Sequence, residues 1–177
     1  MSTPFAQISL ARHGQTEYNA TRRFQGLLPV PLNETGRQQA QELAELAATL
    51  DFQKLWCSPL LRARQTAEIV AARIGLEPVE DDRLVETDTG DWTDRPWSEV
   101  QAEDPERMAA FLRSDPEFAF PGGESYRHQT ERVLAALRDI ATGPKPTLVV
   151  CHGMVIRLTL ITLGRDQRVP NAVLIAL

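Results

Sequence analysis

Two histidine-glycine pairs are the first residues in the chain that could do covalent chemistry: His13-Gly14 closes the run SLARHG, and His152-Gly153 closes LVVCHG. Each follows a short apolar run of strand type. In open α/β sheets ligands gather outside the carboxyl ends of the strands, so two such endings can share one site. Glycine directly after each histidine lets backbone come close to a ligand, and a helical pattern starting after His152 offers free N–H groups and a positive dipole end to an anion. Two arginines fit the same picture. Arg12 immediately precedes His13, and Arg62 falls on the first turn of a helix opening at Ser58-Pro59, where a cation opposes the dipole and needs an anion to justify it. A guanidinium fork binds phosphate oxygens in pairs and neutralises charge on a transferring phosphoryl group. A neutral imidazole with one nitrogen free can attack phosphorus. Arg64 faces another side of that helix and reads as solvated or salt-bridged, while His128, mid-helix, reads as a surface or packing histidine.

The elements that must position these groups alternate between strand and helix. Short β-type runs at 7–11, 54–57, 147–151 and 172–177 are separated by longer stretches of helical period, which predicts an α/β fold. Asn33 is a candidate N-cap for a helix with Ala40, Leu43, Ala44, Ala47 and Leu50 on one stripe. Ser58, as N-cap, and Pro59 open a second helix that buries Leu60, Ala63, Ala67, Val70, Ala71 and Ile74 and stops at Gly75. A third runs from about Ser125 with Tyr126, Val133, Leu134, Leu137, Ile140 and Ala141 inward, and a fourth, 154–163, is apolar nearly all round. The stretch 91–123, rich in Trp, Pro and acids, matches no strand period and holds one predicted helix at 105–113; it reads as an insertion covering the end of the sheet. The 177 residues suit one domain, 1–177, with that insertion as a lid.

With these segments in place the pattern ARHGQTEYN, then RFQG, PLNETG, CSPLLRARQTA, LVET, PGGES and CHG resembles the histidine phosphatase family, the phosphoglycerate-mutase-like group, over nearly the whole chain. The resemblance implies a three-layer α/β/α sandwich with a mostly parallel central sheet. It implies that His13 is the nucleophile, that Arg12, Arg62 and His152 form a phosphate pocket with Asn19, Gln25, Gly26 and Gly153, and that Glu86 is the proton donor. The segment after Glu86, TDTGDWTD, departs from the family's usual glycine-tryptophan motif, and Asp88 is the neighbouring candidate acid. In the mechanism that follows, His152 is expected to be cationic. No cofactor and no metal are implied.

Composition bounds the partners. With 24 acidic against 19 basic residues the net charge is -5, which repels nucleic acid and anionic membrane. The opening MSTPFAQ lacks the basic and apolar regions of a secretory leader, and no apolar stretch approaches the roughly 20 residues of a bilayer span, so a cytoplasmic location is expected. Cys57 and Cys151 each end an apolar run and read as reduced core thiols. Cys151 and Arg157 also fit a Cys-x5-Arg phosphatase loop, but Met154, Val155 and Ile156 read as a buried helix instead of a phosphate cup. Between Glu80 and Glu106 lie 11 acidic and 2 basic residues, largely a solvated acidic face. A mutase needs further cations for a second anionic group; Arg22 and Arg23 are the spares, so hydrolysis of small-molecule phosphomonoesters is preferred to mutase chemistry. Trp92 and Trp97 could stack on a sugar or nucleoside-like ring. A non-catalytic phospho-ligand sensor is the rival from another class, and the terminal VLIAL is an edge that could pair copies into a homo-oligomer.

Overall fold

A computed structural model describes residues 5–177; the leader reading of the opening segment falls largely on 1–4, outside the described residues. In chain order the elements are β1 (Ile8–Arg12), α1 (Glu17–Ala20), α2 (Glu34–Ala47), β2 (Lys54–Cys57), α3 (Leu61–Ile74), β3 (Pro78–Glu80), α4 (Trp97–Glu103), α5 (Pro105–Arg113), α6 (Tyr126–Ile140), β4 (Thr147–Cys151), α7 (Gly153–Thr162) and β5 (Leu174–Ala176). The five strands form one sheet in the order β3-β2-β4-β1-β5, parallel throughout except for β5, which runs antiparallel to β1 at one edge.

Strand alternation sorts the apolar residues into two cores. Ile8, Leu10, Val149 and Cys151 point to one face and pack with α6 and α7 through Val133, Leu137, Ile156 and Leu160. Ala11, Leu55, Cys57, Leu148 and Val150 point to the other face and meet α2 and α3 through Leu43, Ala47, Ala63 and Val70. The fold is therefore a three-layer α/β/α sandwich, because strands buried on both faces need a helical layer on each side.

Register decides where the chemistry sits. Arg12 lies opposite Cys151, and Val150 opposite Cys57, so β1, β4 and β2 end nearly level. The ladder then continues one residue beyond each outer strand: the His13 N–H donates to the Cys151 carbonyl and the Ser58 N–H to the Val150 carbonyl, both at 3.0 Å. His13, Ser58 and His152 thus leave the sheet side by side.

Several boundaries differ from the sequence reading. The helix expected to open on Ser58 begins at Leu61, with Leu60 as an N-cap that makes no side-chain bond, so Ser58 is left free for another partner. Asn33 does cap α2 through Gly36 N–H, but that helix ends at Ala47 and Leu50 lies beyond it, 40% exposed. Leu60, just before α3, and Ile74 at its end are half-buried, as are Leu134 on α6 and Ala141 just past it, because they lie at the margins of their stripes. The first strand is one residue later than expected and the last is shorter, Leu174–Ala176. Helix α5 occupies Pro105–Arg113 as predicted, but α1, β3 and α4 were not anticipated: each is short, and three to seven residues carry too little period to register.

The 91–123 segment is held by aromatic packing. Phe24, Trp92, Phe111, Phe118, Phe120 and Tyr126 are buried in one cluster, with ring centroids 4.8 to 6.2 Å apart. Phe24 comes from the body of the protein, so this third core ties 91–123 to the sheet's carboxyl edge.

Candidate active site

Above that edge opens a cavity of about 260 Å³. Arg12, His13, Asn19, Gln25, Gly26, Arg62, Glu86 and Gly153 all line it, while His152 is not in the lining and is fully buried, with its ring centroid 5.2 Å from that of His13. Asp88 does not reach the cavity: its carboxylate accepts from the Gly90 N–H at 3.0 Å and holds the turn there.

His13 is 2% exposed, and its Nδ1 lies 2.7 Å from the Gly14 carbonyl oxygen. A carbonyl can only accept, so Nδ1 carries the proton and the neutral ring keeps a lone pair on Nε2. Burial, and then the charges of Arg62 and Arg12, hold the imidazole well below its ordinary pKa; the hydrogen bond to Gly14 opposes them only in part. The ring is therefore neutral at physiological pH. His152 departs from expectation in the same direction. Burial first, then Arg62, His13, Arg12 and Arg132, push its pKa well below 6.5, so it is neutral in the empty site and not cationic. Its Nε2 lies 2.7 Å from Ser58 Oγ, whose oxygen also receives the Leu60 N–H, and its buried Nδ1 has no partner.

Arg62 is nearly fully buried at the start of α3, where Nη1 donates to the Leu28 carbonyl at 3.0 Å and Nη2 to the Gly26 carbonyl at 2.9 Å. Burial lowers its guanidinium to about 10, with Glu86 opposing, so it stays cationic. Arg12 donates from Nη1 to the Val169 carbonyl at 2.7 Å. The Nε of each is buried without a partner. Buried donors left unmade are costly, and two of them on guanidiniums lining one cavity mark a place for an anion. The helix terminus expected to receive that anion is partly occupied: Glu86 accepts the Met154 N–H on Oε2 at 3.2 Å and its own neighbour Thr87 N–H on Oε1 at 2.9 Å. The glycines serve differently from expectation. A Cβ on Gly14 would come 2.2 Å from the Gly36 carbonyl oxygen, so that glycine admits the start of α2, while Gly153 gives room to the Arg12 guanidinium.

The remaining wall is apolar, from Phe24, Trp97, Phe111, Phe120, Met154 and Val169. Trp97 faces the cavity, whereas Trp92 is buried in the aromatic cluster and is unavailable for stacking on a ligand. Of the spare cations Arg23 lines the cavity, tied to Asp94, and Arg22 does not. Arg157 also lines it, one turn into α7 and 2.5 Å from Ser114 Oγ. Its place on this wall was not anticipated, because the Cys-x5-Arg spacing pairs it with Cys151; burial raises the Cys151 thiol far above its ordinary value, and α7 begins at Gly153, leaving no phosphate loop between them. Cys57 is likewise buried and raised to about 12. Arg64 pairs with Glu68 and Glu80, and His128 is exposed beside Glu124. Four arginines thus line a cavity whose wall, among the described residues, carries a single acid, Glu86, in a chain of net charge -5.

A family model for the histidine phosphatase superfamily (branch 1) matches residues 8–170. The chain belongs to that superfamily. Among histidine phosphatases it is 40% identical over 158 residues to phosphoglycerate mutase-like protein 4 of Arabidopsis thaliana, covering 86% of this chain and 69% of that one. It is 36% identical over 151 residues to the "Probable phosphoglycerate mutase GpmB" of Cronobacter sakazakii, covering 84% and 70%. The structure matches a mycobacterial glucosyl-3-phosphoglycerate phosphatase in complex with VO3 at a TM-score of 0.85, with 32% identity over 94% of this chain and 88% of that one. A phosphoglycerate mutase from Thermus thermophilus matches at a TM-score of 0.78, with 34% identity over 96% and 91%. No helix among the described residues is long and apolar enough to cross a membrane.

Proposed function

We propose that this histidine phosphatase hydrolyses small-molecule phosphomonoesters through a phosphohistidine on Nε2 of His13. The observation that carries the reading is the bond from His13 Nδ1 to the Gly14 carbonyl, which leaves a free lone pair on Nε2 in a cavity lined by two guanidiniums with unmade donors. Nε2 attacks phosphorus as the P–O bond to the leaving group breaks, and Arg12 and Arg62 neutralise the equatorial oxygens. Glu86, protonated, passes its proton to the departing alkoxide, which leaves as the alcohol. In the second half a water attacks phosphorus, Glu86 takes its proton, the P–N bond breaks, and inorganic phosphate departs with His13 neutral again. His152 packs beside the first ring, centroids 5.2 Å apart, with its buried Nδ1 unpaired; an incoming dianion opposes the effects that depress its pKa. The Trp97 and Phe111 wall receives the organic part of the substrate. No cofactor takes part.

Hydrolysis is preferred to transfer because of the likeness to the glucosyl-3-phosphoglycerate phosphatase and the shortness of the insertion. Mutase chemistry is the second reading, favoured by the relatives named as mutases and by Arg23 and Arg157, two further cations on the wall.

Transfer from an aryl phosphate, quenched in alkaline detergent and then probed for acid and alkali stability, tests the proposal. Wild type should give a phosphoenzyme that is acid-labile and alkali-stable and should release inorganic phosphate. His13→Ala should give neither, and Cys151→Ser should give both. Turnover in His13→Ala would remove the nucleophile assignment. Phosphoenzyme that yields its phosphate only to a second phosphoglycerate would establish the mutase, and phosphate binding with no phosphoenzyme would leave a sensor.

A further inference from the structure

The segment that carries Glu86 has little regular structure: it lies between a 3-10 turn at Asp82–Leu84 and another at Gly90–Trp92. A carboxyl that must meet a departing oxygen needs a fixed backbone, and the side chain that fixes this one is Arg132 on α6. Its Nη1 donates to the carbonyls of Arg83 and Val85, both at 2.8 Å, and its Nη2 to the carbonyl of Glu86 at 3.2 Å. Nε and Nη2 also hold the two oxygens of Glu124 at 2.7 and 2.8 Å. Glu124 in turn donates its backbone N–H to the Asp88 carbonyl at 2.9 Å, so the ion pair reaches the loop on both sides of Glu86. Three residues earlier on α6, Gln129 accepts a hydrogen bond from the Thr87 hydroxyl.

Both partners of the ion pair are largely buried, with side chains 15% and 9% exposed, and the Nδ1 of exposed His128 at 3.1 Å is a further neighbour of Glu124. A buried ion pair gains little over apolar packing unless its donors are well used, and here each nitrogen of Arg132 has an acceptor. Arg132 does not line the cavity, yet its charge is among those that lower His152.

We propose that Arg132, clamped by Glu124, is a positioning residue: it sets the backbone from which Glu86 reaches the leaving-group oxygen, and so governs protonation of that oxygen without touching substrate. The inference rests on the assignment of Glu86 as the acid. A merely structural clamp and a positioning clamp differ in one readout. Alkyl phosphates need a proton at the leaving oxygen, whereas 2,4-dinitrophenyl phosphate departs without one, and kcat/KM reports only steps through formation of the phosphoenzyme.

Glu86→Gln, Arg132→Lys and Glu124→Gln should therefore be compared on both substrates. Glu86→Gln is expected to lose roughly 10²- to 10⁴-fold on the alkyl ester and little on the dinitrophenyl ester. Arg132→Lys and Glu124→Gln should show the same selectivity with a smaller loss, roughly ten- to hundredfold. Retained activity on the dinitrophenyl ester also shows that each variant is folded. If Glu86→Gln is selective but the two clamp variants lose equally on both esters, or on neither, the positioning role is overturned while the acid stands. If Glu86→Gln itself shows no selectivity, the acid assignment fails and the inference falls with it.

Discussion

The two ends of the cavity are built on different principles. At the proposed phosphate end Arg12, His13 and His152 follow directly from β1 and β4, and Arg62 from the first turn of α3, all over the level ends of three parallel strands. Three of these groups are held by backbone, the Gly14, Gly26, Leu28 and Val169 carbonyls fixing the side chains of His13, Arg62 and Arg12, while His152 leans on Ser58 Oγ. At the distal end Trp97, Phe111 and Phe120 come from the 91–123 segment, held by ring packing and adding no strand to the five-stranded sheet. Charge placed by strand geometry is precise because the ladder cannot slip without turning every side chain to the wrong face. An aromatic cluster tolerates repacking, which suits a wall that has to be shaped to a substrate.

The comparison breaks if the two ends respond alike to substitution. Arg62→Ala is expected to lower kcat/KM for a small aryl phosphate by roughly 10²- to 10³-fold, since it removes the donors that neutralise the phosphoryl oxygens. Phe118→Ala, at a buried ring that does not line the cavity, should destabilise the fold by about 3 kcal/mol in urea melts, yet change that same kcat/KM by less than about threefold. Equal activity losses from these two variants would show that the ends are mechanically one unit.

Acid should reveal the phosphate end in another way. His13 and His152 are both held well below 6.5 by burial in the folded, ligand-free protein, so as pH falls below about 6.5 the unfolded chain takes up protons that the native state refuses. Stability should therefore fall by up to about 1.4 kcal/mol per pH unit for each histidine, and His13→Ala should have a shallower slope in urea midpoints measured from about pH 7 to 5.5. An identical slope would mean that His13 is protonated in the native state. The smallest effect is expected at the rim, where Arg23 is shared with Asp94: Arg23→Ala should raise KM only a few-fold for a phosphomonoester carrying a second anionic group, and leave kcat within about twofold. A loss as large as that of Arg62→Ala would make the distal end part of the catalytic machinery.

Much of the phosphate end was legible because strand-end chemistry is local in sequence. The pairs at His13 and His152 announce themselves as apolar run, histidine, glycine, and Arg62 as a cation at the wrong end of a helix. The cap at Asn33 was equally readable, since a capping side chain reaches only three residues ahead. Trp92 and Trp97 could not be told apart, because burial within 91–123 depends on Phe24, Phe111 and Phe120, which approach from separate segments. Ser58 was assigned to a cap for the same reason: its partner His152 is 94 residues away.

By itself the sequence determined the α/β alternation, the two histidine-glycine endings, the arginines beside them and the likeness to the histidine phosphatases, since each is carried by residues within one turn or one strand of each other. Only the tertiary structure decided that His152 is neutral and leans on Ser58, that Arg157 stands on the cavity wall, and that Arg132 grips the loop bearing Glu86. Those facts depend on the strand order β3-β2-β4-β1-β5 and on burial, which brings distant residues together and takes their charges out of water.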